Sequence, residues 1–67
     1  MTTTTTIRVR IQDNNGEVRY DQRIWFFGTE EEIKKAAMGM LKGAESIYKN
    51  GWSTLFINGE VINDSSF

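Results

Sequence analysis

The chain has 67 residues, eight basic and nine acidic side chains, and neither cysteine nor histidine. One domain is all that this length allows, and it buries only about 60% of the surface its unfolded chain exposes. Disulfides, a zinc site and thiol or imidazole catalysis are excluded by inventory. The net charge of −1 lacks the basic excess expected of a nucleic-acid binder.

Met1 and the threonines Thr2–Thr6 carry neither the basic start nor the apolar centre of a secretory signal. No apolar run approaches the roughly 18 residues of a membrane span. The expected setting is therefore cytoplasmic, the host cytoplasm if the chain is phage-encoded. Residues 1–5 are expected to fray, as are residues 64–67 at the other end of a single 1–67 domain.

Ile7, Val9 and Ile11 alternate with Arg8, Arg10 and Gln12, the period-two pattern of a half-buried strand. Asp13-Asn14-Asn15-Gly16 then supplies a turn. The same cluster, with Glu17, is oxygen-rich but lacks the spacing of a calcium loop. In the second strand Val18, Tyr20, Ile24 and Phe26 share one side, interrupted by Gln22, while Arg19, Asp21, Arg23, Trp25 and Phe27 share the other. A two-residue Asn15-Gly16 turn places Arg10 opposite Asp21 and Arg8 opposite Arg23; a four-residue loop pairs Arg8 with Asp21 instead. Either register leaves the faces unchanged.

Gly28 ends the strand, and Thr29 followed by Glu32 reads as a capping box, with Glu30 and Glu31 also favouring the positive end of the helix dipole. Ile33, Ala36, Ala37, Met40, Leu41, Ala44, Ile47 and Tyr48 form a broad apolar stripe on a helix about 30 Å long. Glu30–Lys34, Glu31–Lys35 and Glu45–Lys49 have the spacing of helical ion pairs. Gly39 and Gly43 each cost about 1 kcal/mol relative to alanine in a helix interior. Close approach of helix to sheet is the expected compensation; approach of a partner or second subunit is the alternative. Asn50-Gly51 stops the helix.

Trp52–Ile57, Asn58-Gly59 and Glu60–Asn63 read as a second hairpin, with Leu55 and Ile57 expected inward and Phe56 outward. The whole is an α+β domain, ββαββ and β-grasp-like, with one helix packed across one face of a four-stranded mixed sheet. A right-handed crossover predicts strand order 2-1-4-3, first and last strands parallel at the centre. A ββαβ version without the last strand is the alternative.

This layout resembles the immunoglobulin-binding domains of bacterial surface proteins G and L. In kind it is also similar to small phage-encoded inhibitors such as anti-CRISPR proteins, and the resemblance implies docking on a larger host protein. A de novo designed domain shares the regular layout, although Gly39, Gly43, Gln22 and Phe67 run against design practice.

No phosphate loop, nucleophile with base, or facing carboxylate pair can be assembled, so no enzyme activity, cofactor or metal is expected. The candidate partner-binding residues are Arg8, Arg10, Arg19, Arg23 and Trp25. Arginine and tryptophan are the side chains that carry interface hot spots, and all four arginines lie in the first 23 residues. The leading expectation is a non-catalytic protein-binding module, an inhibitor of the small phage type. A single-stranded nucleic-acid binder using the same face is the second, and a ligand-free homo-oligomer subunit the third. The plain physical alternative is that these arginines solubilise an open sheet and pair with Asp21.

Overall fold

The computed structural model describes residues 3–67; of the expected frayed end, Met1 and Thr2 lie outside them, whereas Thr3–Thr5 pair with residues 26–28 of the second strand and Thr5 is buried. The elements run β1 (Thr3–Gln12), β2 (Val18–Gly28), α1 (Glu30–Tyr48), β3 (Trp52–Ile57) and β4 (Glu60–Ser66). Asp64–Ser66, expected in a loose tail, complete β4, and Phe67 packs against the core. Among the described residues no helix is long and apolar enough to cross a membrane.

The sheet order is β2-β1-β3-β4 with every neighbouring pair antiparallel, which corrects the expected mixed sheet of order 2-1-4-3. The reason lies in what each strand can bury. Thr5, Ile7, Val9 and Ile11 of β1 and Ser53 and Leu55 of β3 are buried, whereas β4 consists of Glu60, Asn63, Asp64, Ser65 and Ser66 around two exposed apolar residues. A strand so polar is tolerated at an edge, where one side meets water, and not between two others. The crossover still joins parallel strands: β2 and β3 both oppose β1, and α1 passes over the β1 strand that separates them.

The core is one cluster of Ile7, Val9, Ile11, Ile33, Ala37, Leu41, Ala44 and Leu55, with Tyr20, Ile24, Phe26, Ala36, Met40, Tyr48, Ile57 and Phe67 packed around it. Ser53 is wholly buried on the same face and donates to Glu45 Oε2 at 2.7 Å. That contact draws Glu45 inward, away from Lys49. None of the three expected helical ion pairs forms; Arg8–Asp21 is the one salt bridge among the described residues.

The first hairpin closes differently from the expected two-residue turn. Gly16 N donates to the Asp13 carbonyl at 3.0 Å, Asp13 N to the Glu17 carbonyl at 2.9 Å, and only Gly16 (φ 81°) is left-handed. This is a three-residue loop, and a bulge beside Ile11 restores the pairing of Ile11 with Tyr20 and Arg10 with Asp21. Asp13 Oδ1 accepts from the backbone of Asn15 and Glu17, so the acidic cluster serves the turn.

The capping box forms as expected between Thr29 and Glu32. The helix ends on Lys49 (φ 65°), followed by Gly51 at φ 143°, where a Cβ would stand 2.5 Å from the Gln12 carbonyl oxygen. Gly39 and Gly43 overturn an expectation. A Cβ on either would meet nothing within 4 Å, so the helix does not need them in order to approach the sheet.

Candidate functional site

With α1 on one face, the other face of the sheet is open. Cross-strand pairing arranges it in rows: Arg23, Arg8, Phe56 and Val61 in one, and Asp21, Arg10, Thr54 and Asp64 in the next. Trp25 lies opposite Thr6 beyond the first row, and Trp52 opposite Gln12 beyond the second.

The register sets Asp21 opposite Arg10, yet the ion pair is made diagonally. Arg8 Nε donates to Asp21 Oδ1 at 2.8 Å and its Nη2 to Oδ2 at 2.6 Å, the two-pronged geometry that a planar guanidinium offers a carboxylate. Arg10 turns the other way. Its guanidinium carbon is 5.4 Å from the centre of the Phe56 ring, and that of Arg8 is 5.1 Å from the same ring, both within cation–π range. Arg10 Nε is buried there without a hydrogen-bond partner.

On the far side Asp64 accepts from the Trp52 indole and, at 2.8 Å, from Thr54 Oγ1. These two bonds hold its carboxyl below the usual carboxylate range. The Asp21 carboxyl is also held low, first by the hydrogen bonds from Arg8, with burial opposing and the charges of Arg8, Arg10 and Arg23 assisting. Both are therefore ionised at neutral pH. Three guanidiniums against two carboxylates leave this face slightly positive and far from a general phosphate binder.

Of the five candidate residues the structure brings together Arg8, Arg10 and Arg23 around Phe56, with Trp25 beyond them on the β2 side. Arg19 is separated. It falls at the bulge and lines a hollow with Ile11, Gln12, Asp13, Tyr48 and Asn50, its carbonyl accepting from Tyr48. The ring over which Arg8 and Arg10 both lie is Phe56. Phe56, Trp52, Thr54 and Asp64 are absent from the sequence-based site because strand order 2-1-4-3 seats β4 beside β1. The inward phase of Leu55 and Ile57 was the signal that put Phe56 on this face.

Subtracting the side chains that satisfy one another leaves a smaller patch. Trp25 is 72% exposed and Phe27 68%, and Arg23 is exposed with no ion pair among the described residues. Beside them a hollow of about 200 Å³ is lined by Thr6, Arg8, Arg23, Phe56 and Gly59, smaller than the roughly 300–1,000 Å³ of a small-molecule site. Among the described residues no group of three or more acidic side chains could hold a metal ion.

Comparison of the chain with protein-family models, with curated proteins and with solved structures finds no match. The site is thus read from its own geometry.

Proposed function

We propose that this chain is a non-catalytic binding module that docks on a protein partner through the β2 side of its open sheet face. The observation that carries this reading is the exposure of Trp25 and Phe27 on adjacent outward positions of one strand. Burying two such rings supplies the apolar anchor of an interface. Arg23, with Arg8 beside it at the same hollow, forms a cationic rim that selects acidic groups around the pocket receiving the rings. Occupying a surface on a larger protein, as a small inhibitor does, needs no further chemistry from the chain.

The test is capture of a partner from the lysate of the source organism by the wild-type chain and by Trp25→Ala and Arg23→Glu variants, followed by titration with the purified partner. Loss of affinity in both variants, with the fold intact, supports the reading. Partner binding that survives both substitutions refutes it. Binding of single-stranded oligonucleotides at low salt that Trp25→Ala abolishes would move the face to nucleic-acid stacking instead.

A further inference from the structure

The β2 edge carries a second pattern, independent of the exposed rings. This strand spans 11 residues at the margin of the sheet, and its protection as an edge is confined to the charges of Arg19, Asp21 and Arg23. It has no proline and no lysine, and its bulge lies at one end. The β4 edge, by contrast, is shorter, polar and broken by a bulge near its middle.

Read outward from Gln22, the β2 sequence is self-complementary. Asp21 and Arg23 flank the centre on the open face, and Tyr20 and Ile24 flank it on the helix face. A two-fold axis through Gln22 and perpendicular to the sheet lays a second copy antiparallel along this edge and keeps open face beside open face. Asp21 then meets the partner's Arg23 and Arg23 the partner's Asp21. Tyr20 meets the partner's Ile24, and Gln22 meets its own twin. The polar interruption on the helix face thereby falls at the only position where it faces another carboxamide.

Neighbouring registers lack this complementarity. An axis through Asp21 or Arg23 sets like charges opposite each other, which destabilises a strand pair. An axis through Ile24 places Gln22 against Phe26, and one through Tyr20 relies on Arg19, which sits in the bulge with its carbonyl already taken by Tyr48. We propose that the β2 edge pairs with β2 of a second copy of this chain about a two-fold axis at Gln22, forming an eight-stranded sheet. Pairing in the plane of the sheet leaves the open face uncovered and brings the two Trp25–Phe27 patches onto one surface.

Sedimentation velocity over a concentration series tests this, independently of any partner. The wild-type chain is expected to reach twice its 7.7 kDa mass. Arg23→Asp turns both ion pairs into carboxylate contacts and should weaken association at least about tenfold, while its own fold gains an acidic group opposite Arg8. The double variant Asp21→Arg/Arg23→Asp restores opposite charges across the axis and should restore the dimer. The cysteine-free chain permits a direct check. Residues directly opposite in an antiparallel pair have Cα atoms about 4.5–5.5 Å apart, within the disulfide range. Gln22→Cys should therefore give a covalent dimer on mild oxidation, and Glu60→Cys on the other edge should not. A wild-type chain that stays monomeric at high micromolar concentration overturns the proposal. So does a dimer indifferent to Arg23→Asp, or equal cross-linking from both cysteine variants.

Discussion

Replacing Gly39 and Gly43 with alanine should stabilise the protein, although two glycines four apart on one helix invite the opposite guess. Each glycine costs about 0.5–1 kcal/mol of helix stability through the backbone freedom it loses on folding. A Cβ at either position would meet nothing within 4 Å, so no clash offsets the gain. The two sites share no packing partner, and the effects should add to about 1–2 kcal/mol. In a domain of this size 1 kcal/mol moves the melting temperature by about 4–8 °C, so the double variant should melt roughly 5–15 °C higher. Circular dichroism at 222 nm on heating, with urea titrations to confirm an unchanged m-value, reads this directly. A lower melting temperature in either single variant would show that the glycine face is occupied by something the fold as described does not contain. Partner binding that fails in a stabilised variant would put the docking site on this helix face and not on the sheet.

Gly51→Ala is expected to go the other way: its φ of 143° and the 2.5 Å approach to Gln12 O should cost at least about 1–3 kcal/mol, seen as a lower urea midpoint. Leu55→Ala, in the centre of the core, should cost about 2–5 kcal/mol; a single core of this size rarely supplies more than about 3–5 kcal/mol, so loss of the cooperative transition is the expected result. Acidification should destabilise the fold. Asp21, Asp64 and Glu32 all have folded-state values below the usual carboxylate range, so the unfolded chain binds more protons. Their contribution is complete above the ordinary carboxylate pKa and is lost as pH falls through the depressed folded values; a urea midpoint independent of pH through the acid range would contradict this. Trp25→Ala, by contrast, should leave the melting temperature almost unchanged, because the ring is 72% exposed and its proposed role lies outside the chain.

Period-two and three-to-four spacing made each strand, the helix and its Thr29–Glu32 cap legible, because those signals are local. Strand order was not. The handedness rule constrains which strands the crossover makes parallel but leaves open whether a third strand lies between them. The polarity of Glu60, Asn63, Asp64, Ser65 and Ser66 decides it, by barring β4 from the centre. The first loop escaped in a similar way: Asn15-Gly16 is compatible with a two-residue turn, and only the Asp13 side-chain bonds to Asn15 and Glu17 favour the longer loop with its compensating bulge.

Those two departures changed the candidate site. The bulge that keeps Ile11 opposite Tyr20 removes Arg19 from the arginine row, and the true neighbour of β1 brings Phe56 to Arg8 and Arg10. Alternation along a strand tells which face a side chain occupies, but not which side chain lies across from it, and charge pairing depends on the latter. Arg8 and Arg10 are thereby committed to Asp21 and Phe56, within the chain's own structure. Arg23 lies outside that network, one strand further out, beside the two rings that water alone covers. The part of the arginine cluster available to another molecule is therefore its β2 margin, where Arg23, Trp25 and Phe27 follow one another on alternate residues.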